Sequence, residues 1–171
     1  AFLAQIDSLT KANKILSDEN TVIKSDIEKK NAENTELSSK VSKGEKIKGA
    51  NVLVSAFGKK SKPVSKAKRV TELKICITLI ENEIARSGQR EVYFRIIDAS
   101  GTVIHNSTNN LFNYNGQQLG YSTKTTIDYQ NKTTQVCCSY TCQEQTLKTG
   151  SYDVEAYTDG EKIGSSQITL E

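Results

Sequence analysis

The chain has 171 residues and contains no Trp, no Met and a single Pro. This length suits one medium-sized domain plus an extended rod. No apolar run approaches the roughly 20 residues that a membrane-spanning helix needs, so the sequence predicts no span within these residues. The formal net charge of +3 is small, but the charges are unevenly distributed along the chain.

A heptad repeat of apolar residues runs through residues 2–43. Leu is the most frequent residue at the d positions of this repeat, and the a positions hold either a β-branched residue or Asn. Leu at d together with β-branched residues at a favours two parallel strands. The repeat therefore predicts that residues 1–44 form a parallel dimeric coiled coil. The predicted dimer seam consists of Ile6, Leu9, Asn13, Leu16, Asn20, Ile23, Ile27, Asn34, Leu37 and Val41.

Amides occupy part of this seam, at Asn13, Asn20 and Asn34. A buried Asn is costly beside an aliphatic side chain, whereas a second Asn satisfies its hydrogen-bonding groups. Parallel pairing in register places each Asn opposite its own copy, which predicts a homodimer. The alternative is one long amphipathic helix packed on another protein. Because the repeat is already running at Phe2, we expect the coil to be the end of a longer rod.

The stretch from residue 59 to residue 69 is basic and contains no acidic residue. One interpretation is a contact with phosphate, an anionic polymer or a membrane surface. The other is a solvated connection between the first two strands, kept soluble by its lysines. No aromatic residue lies among these cations, so base stacking is unsupported and we predict no nucleic-acid partner. The candidate anionic contact consists of Lys59, Lys60, Lys62, Lys66, Lys68 and Arg69.

Beyond residue 50 the apolar repeat changes to the two-residue period of β-strands. A polar, Asn-rich stretch at residues 105–117 predicts a long loop. Asp159-Gly160 predicts a type I′ hairpin turn, because Gly adopts positive φ at little cost. About seven or eight short antiparallel strands at this spacing predict a β-sandwich or a barrel over residues 45–171. The predicted strands cover residues 52–56, 73–79, 92–96, 103–104, 123–129, 133–140, 152–158 and 162–170.

The cysteines and the histidine do not form a metal-binding pattern. Cys76, Cys137, Cys138 and Cys142 contain no Cys-x-x-Cys pair, and His105 has no second His nearby. A structural zinc site needs four ligands, so we predict no metal and no cofactor. In an oxidising compartment Cys142 can pair with Cys137 or Cys138, or one cysteine can reach Cys76. The remaining interpretation is that all of them are packed thiols.

No sequence motif indicates catalysis. The chain has no nucleophile elbow, no P-loop, no dinucleotide-binding glycine motif and no marked pair of acids. We therefore predict that the protein is not an enzyme.

One local pattern favours the sandwich over the barrel. Leu147, Gly150 and Tyr152 have the spacing L-x-x-G-x-Y directly before an alternating strand. This resembles the tyrosine corner of immunoglobulin-like and fibronectin-like domains, in which the Tyr hydroxyl bonds to backbone a few residues upstream. The pattern departs from antibody domains, because no Trp follows Cys76 and no Cys lies on the strand at residues 152–158.

The whole layout resembles bacterial envelope proteins with an N-terminal signal or anchor, a coiled coil and a C-terminal immunoglobulin-like sandwich. The residues that carry this resemblance are the strands at Lys74–Leu79 and Lys124–Tyr129 and the ending from Gly150 to Gly164. The resemblance implies the periplasm or the cell surface of a bacterium. It implies membrane contact only through an N-terminal segment outside this sequence, and it implies no activity.

The sequence thus predicts a non-enzymatic structural or interaction protein. The coil dimerises and acts as a spacer for the sandwich. The sandwich docks onto a partner, which we expect to be another envelope protein. The alternative is an adhesin or carbohydrate-binding module that uses residues 106–121, with Tyr114 and Tyr121 as a stacking surface. A structure that buries both tyrosines would count against this alternative.

Overall fold

The computed structural model describes residues 2–142 and 147–171. Residues 143–146 are polar, for which the sequence predicts a turn, and they lie outside the described residues. The chain divides into two compact units, Ala1–Gly44 and Glu45–Glu171. We refer to the second unit as the β-domain.

The first unit is a single α-helix, α1, which extends over 43 residues from Phe2 to Gly44. Several of its hydroxyl side chains bond back to a carbonyl one turn earlier, as Thr10 does to Ile6 at 2.7 Å. None of its described residues is buried. In proteins a helix is stabilised mainly by packing of its apolar face, so α1 lacks that contribution within its own unit. Among the described residues, no helix combines the length and apolar character that crossing a membrane requires.

The β-domain is mainly β, as predicted, and every strand pair in its described residues is antiparallel. Two short 3₁₀ helices, Lys59–Ser61 and Ala67–Arg69, lie between the first two strands. The strands of the described residues are β1 (Gly49–Phe57), β2 (Glu72–Leu79), β3 (Gly88–Ile97), β4 (Val103–Ile104), β5 (Leu111–Tyr114), β6 (Gln117–Gly120), β7 (Thr123–Tyr129), β8 (Thr134–Thr141), β9 (Gly150–Thr158) and β10 (Glu161–Leu170).

These strands form two main sheets and a separate hairpin. The first sheet has the order β1-β2-β8. The second has the order β10-β9-β3, and the other edge of β3 pairs with β7 and with the short β4. Strands β5 and β6 pair only with each other.

The inward side chains of both sheets belong to one hydrophobic core. On β2 the predicted buried face is confirmed, since its alternating apolar residues are 0% exposed: Leu73, Ile75, Ile77 and Leu79. On β3 the same holds for Val92, Phe94 and Ile96, each also 0% exposed. Burial of large apolar side chains is the dominant favourable contribution to folding, so the β-domain has a core of its own.

Strands β1 and β10 approach each other closely where both contain glycine. A Cβ atom on Gly49 would lie 2.5 Å from Cδ1 of Ile77 and 2.7 Å from the carbonyl oxygen of Ile163. A Cβ atom on Gly164 would lie 2.7 Å from Cγ2 of Val52. Neither position therefore accepts a side chain without a shift of its neighbours.

Two tight turns show where the sequence prediction succeeded and where it failed. Asp159 and Gly160 have φ of 51° and 72°, which confirms the predicted type I′ turn between β9 and β10. The prediction of one long loop at residues 105–117 was wrong, because β5 and the start of β6 lie there. Asn115 and Gly116 join them with φ of 49° and 82°. This additional hairpin raises the strand count above the predicted seven or eight.

Candidate functional site

The predicted seam residues lie uncovered along α1. Leu9 is 65% exposed, Leu16 is 55% exposed and Ile23 is 54% exposed. The three seam asparagines are exposed as well. An amphipathic helix gains stability by burying its apolar stripe, so this stripe is the surface of α1 suited to a partner.

The candidate anionic contact lies in the connection between β1 and β2. We call residues 59–69 the basic connection. All six of its cations are exposed. None of them forms an ion pair with an acidic side chain of residues 2–142 or 147–171. The connection therefore displays its positive charge uncompensated.

Backbone hydrogen bonds hold the basic connection against two strands. The N–H of Val64 donates to the carbonyl of Ala56 in β1, at 3.0 Å. The N–H of Ala67 donates to the carbonyl of Glu171 at 2.6 Å, and the N–H of Glu171 donates to the carbonyl of Ser65 at 2.8 Å. The six cations thus stand on a backbone that is tied to the rest of the domain.

A disulfide joins Cys76 of β2 to Cys137 of β8. The two residues are direct cross-strand partners, with Cα atoms 4.0 Å apart. This is one of the pairings that the sequence left open. Because Ile75 and Ile77 are buried, the intervening Cys76 points to the outward face of the first sheet, and Cys137 is exposed there.

The other two cysteines, Cys138 and Cys142, are free and half-buried. The Sγ atom of Cys138 lies 3.1 Å from the hydroxyl of Thr123, and burial raises the pKa of the Cys142 thiol. His105 is half-buried in the segment after β4. Within the part of the chain that the structure describes, no group of three His, Cys, Asp or Glu side chains is placed to hold a metal ion.

The β5–β6 hairpin contributes to an aromatic cluster on the outward face of the second sheet. Tyr93 of β3 stacks on Phe112 of β5 with ring centroids 4.7 Å apart. Tyr157 of β9 lies 5.2 Å from both Phe112 and Tyr114, and Tyr121 meets Tyr93 edge-on at 5.2 Å. Tyr114 and Tyr121 are half-buried against these rings, so neither presents a fully exposed ring on which a sugar could stack.

An ionic network lies beside the aromatic cluster and centres on Glu155 of β9. Its carboxylate accepts hydrogen bonds from Arg95 at 2.8 Å, Lys162 at 2.7 Å and the Tyr157 hydroxyl at 2.9 Å. Burial acts to raise the pKa of Glu155, but the hydrogen bonds from Lys162 and Tyr157, together with the positive charges of Lys162 and Arg95, outweigh burial and lower it. Arg95 also donates to the carbonyl of Gly120 at 3.0 Å, which ties the end of β6 to the sheet.

The predicted structural corner, Tyr152, is only 3% exposed at the start of β9. Its hydroxyl donates to the carbonyl of Lys148 at 2.7 Å and accepts from the N–H of the same residue at 2.9 Å. Burial raises the pKa of Tyr152. Both hydrogen-bonding roles of the hydroxyl are thus satisfied by backbone four residues upstream.

These features define a disulfide-bearing, mainly β domain that follows one long, uncovered helix. Residues 47–171 match the family model described as "Domain of unknown function (DUF8428)". The chain belongs to this family. The family description names no activity.

Other comparisons add little. The curated proteins contain no match to this chain. A similar solved structure is that of the Pseudomonas fluorescens alkylpurine DNA glycosylase AlkC bound to DNA containing an abasic site analog, with 15% identity and a TM-score of 0.38. The match covers 73% of this chain and 30% of that one. At this level of similarity we infer neither fold nor activity from it.

Proposed function

We propose that this protein is a non-enzymatic structural or interaction protein of a bacterial cell envelope. In this proposal α1 forms a parallel homodimeric coiled coil that spaces two immunoglobulin-like β-sandwiches, and each sandwich docks onto another envelope protein. The observation that carries the proposal is the uncovered apolar stripe of α1. Its heptad spacing suits a narrow two-stranded seam rather than a broad packing face.

The polar seam positions support a parallel dimer in register. Asn13, Asn20 and Asn34 would each be buried beside an aliphatic residue in most other pairings, which leaves amide groups without partners. A parallel pair in register brings each Asn against its own copy. A helix of 43 residues extends about 65 Å at 1.5 Å per residue, so such a dimer would act as a spacer.

Three observations support the immunoglobulin-like assignment. The buried faces of both sheets share one core. The chain crosses between the sheets from β2 to β3, from β7 to β8 and from β8 to β9, as Greek-key connections do. The Tyr152 hydroxyl bonds to the backbone of Lys148, which is the geometry of a tyrosine corner.

The disulfide supports the proposed envelope location. Structural disulfides persist in oxidising compartments such as the periplasm and are rare in the cytosol of most organisms. The Cys76–Cys137 bridge faces outward, where reductants would reach it. The carbohydrate-binding alternative has less support, because Tyr114 and Tyr121 are packed against other rings.

Sedimentation equilibrium of the full chain tests the dimer. We expect the wild type to dimerise and the double variant Leu16→Lys, Ile23→Lys to be monomeric, because two cations in the seam face each other without partners. The matched control is Ile15→Lys, Val22→Lys. These residues are similarly exposed, at 58% and 60%, but lie outside the seam. A monomeric wild type, or equal loss of dimer in both variants, would contradict the proposal.

Cross-linking tests the parallel register separately. In the variant Asn13→Cys, a parallel dimer in register brings the two introduced thiols together across the seam. We expect oxidation to yield a covalent dimer that the wild type, with its own half-buried thiols, does not form. An antiparallel pair would keep the two copies of residue 13 apart, and no covalent dimer would then appear.

A further inference from the structure

Neither the dimer seam nor the sandwich fold accounts for the basic connection. Its six cations are exposed and lack ion-pair partners among the described residues. Like charges repel one another and create a positive potential above the surface that carries them. This part of the β-domain is therefore an electrostatic attractor for anions.

The basic connection lies at one extreme end of the β-domain. Strand β1 begins at Gly49, soon after the domain begins at Glu45, and it ends at Phe57 just before the cations. At about 3.3 Å per residue, β1 separates these ends by roughly 30 Å. Two acidic residues lie at this end: Glu171, which bonds to the connection through its backbone, and Glu72, which lies opposite Phe57. Neither forms an ion pair with any of the six cations. The end remote from the start of the domain is thus strongly positive.

The arrangement of the cations does not suit one enclosed anion. The groove beside the connection has a volume of about 410 Å³ and is lined by Pro63, Val64 and Ser65 together with residues of β1 and β10. None of the six cations lines this groove. The connection also contains no aromatic ring on which a nucleic-acid base would stack. Separate charges spread over a surface suit an extended array of anions.

Apolar atoms lie among these charges. Pro63 is exposed and Val64 is half-buried, and both lie in sequence between Lys62 and Lys66. A soluble polyanion would interact with such a surface through its charges alone. An anionic bilayer offers negative headgroups together with an apolar boundary just beneath them.

We propose that the basic connection is a docking surface for anionic phospholipid membranes. This contact is additional to the N-terminal membrane segment that the resemblance to envelope proteins implies. It does not require the dimer seam, because all of its residues belong to one β-domain. Lysine clusters of this size bind lipid surfaces through long-range attraction that salt screens.

Vesicle co-sedimentation of the full chain tests this proposal. The probes are vesicles of phosphatidylcholine with about 30% phosphatidylglycerol and vesicles of phosphatidylcholine alone. The two kinds of vesicle differ in surface charge, on which such binding depends. We expect binding only to the anionic vesicles and a loss of at least about tenfold between 50 and 300 mM salt, because exposed charges are screened. Absence of binding to the anionic vesicles, or equal binding to both kinds, would overturn the proposal.

Two variants with the same change in net charge locate the surface. Lys59→Gln, Lys62→Gln, Lys66→Gln should reduce binding at least about tenfold, since each cation near an anionic surface adds to the attraction. Its control replaces three exposed lysines outside the connection by Gln: Lys48, Lys74 and Lys132. We expect the control to bind within about twofold of the wild type, because isolated exposed charges contribute little. Equal losses in both variants would overturn the assignment to this surface.

A competition distinguishes the lipid from a soluble polymer. Inorganic polyphosphate is added at the same total phosphate concentration as the anionic vesicles. We expect the protein to remain mostly on the vesicles. If polyphosphate displaces it completely at this concentration, the surface recognises charge alone and the membrane assignment is overturned.

Discussion

Helix α1 and the β-domain both carry apolar side chains at regular spacing, but only the β-domain covers its own. The fully buried residues of β2 and β3 have 0% exposure, whereas Leu9 on the helix retains 65%. The stability of the β-domain is therefore a property of one chain. The stability of α1 depends on a partner surface, because in proteins a helix is stabilised mainly by packing of its apolar face.

The two regions also differ in the hydrogen-bond partners of their polar side chains. In the β-domain the Tyr152 hydroxyl and the Glu155 carboxylate are satisfied by partners in the same unit. In α1 the side-chain amides of Asn13, Asn20 and Asn34 are exposed and have no hydrogen bond to another described residue. The β-domain therefore satisfies its polar groups within its own fold, whereas the proposed dimer would supply partners for the amides of α1.

Replacing Asn13, Asn20 and Asn34 by Ile should have the largest effect and should act on the helix alone. Each Ile side chain buried in the proposed seam contributes about 1.5–3 kcal/mol, so the stability of the proposed dimer should rise by several kcal/mol. Register and oligomeric state should become less specific, because the Asn pairs no longer select them. Circular dichroism at 222 nm measures the first effect, and light scattering should detect higher-order species.

Thr35→Ile serves as the control for that triple variant. Thr35 lies on α1 outside the seam, so its replacement should leave the oligomer unchanged. A triple variant that is less stable than the wild type and still strictly dimeric would show that the three amides do not lie in a seam.

Removing the disulfide should have the next largest effect and should act on the β-domain alone. Cys76 and Cys137 are 61 residues apart in sequence, and cross-linking a loop of this length stabilises by up to about 4 kcal/mol through the unfolded state. The variant Cys76→Ser, Cys137→Ser should therefore have a lower urea midpoint of β-domain unfolding. The helical signal should not change.

Cys138→Ser provides the comparison for the disulfide variant, because Cys138 is a free cysteine on the same strand as Cys137. It should have a clearly smaller effect than the double variant. Equal midpoints for the wild type and the double variant under oxidising conditions would mean that the bridge contributes no stability.

Those features of the β-domain that depend on local interactions could be predicted from the sequence. Alternation placed Ile75 and Ile77 on a buried face and Cys76 on the opposite face, because successive side chains of a strand point to opposite sides. The Asp159-Gly160 turn followed from backbone preference alone. Asn115-Gly116 carries the same signal, so the missed hairpin was also accessible to sequence reasoning.

The partners of the outward-facing residues could not be predicted in this way. The alternation that makes Cys76 and Cys137 face outward does not reveal that β2 and β8 are neighbours, since 61 residues separate the two cysteines. Likewise, Tyr93 and Tyr157 point outward by alternation, but the hairpin that brings Phe112 onto them is placed by tertiary packing. Register between distant strands is a property of the whole sheet.

Tyr152→Phe should have a smaller effect on the β-domain. The substitution removes a hydroxyl that exchanges two hydrogen bonds with the backbone of Lys148. Loss of such a buried interaction costs about 1 kcal/mol or somewhat more. Urea denaturation of the full chain, followed by tyrosine fluorescence, measures the change. Tyr121→Phe is the control, because the Tyr121 hydroxyl has no hydrogen bond within the described residues and its loss should not move the midpoint.

The smallest expected effect is a pH dependence that arises in the β-domain network. Burial raises the pKa of Glu155, but the hydrogen bonds from Lys162 and Tyr157 and the positive charges of Lys162 and Arg95 together lower it below its ordinary value of 4.5. The folded state therefore binds fewer protons than the unfolded state near this pH. The resulting stability is fully present above the unfolded value and is lost as the pH falls through the folded value. Hydrogen bonds from Lys124 and Ser100 likewise lower the pKa values of Glu91 and Asp98, so Glu155 accounts for only part of the dependence.

Urea midpoints of the full chain measured between pH 7 and pH 3 test this contribution. Glu155→Gln should lower the midpoint at pH 7 and should flatten its decline below about pH 4.5, because one of the carboxylates that must be protonated is gone. Asp153→Asn is the matched control: it removes an exposed carboxylate from the same strand, whose partner is the neutral Gln167 rather than a cation. It should leave the decline nearly parallel to that of the wild type. If Glu155→Gln also leaves the decline parallel, the Glu155 carboxylate is not stabilised in the folded wild type. The ionic network around it then does not stabilise the second sheet.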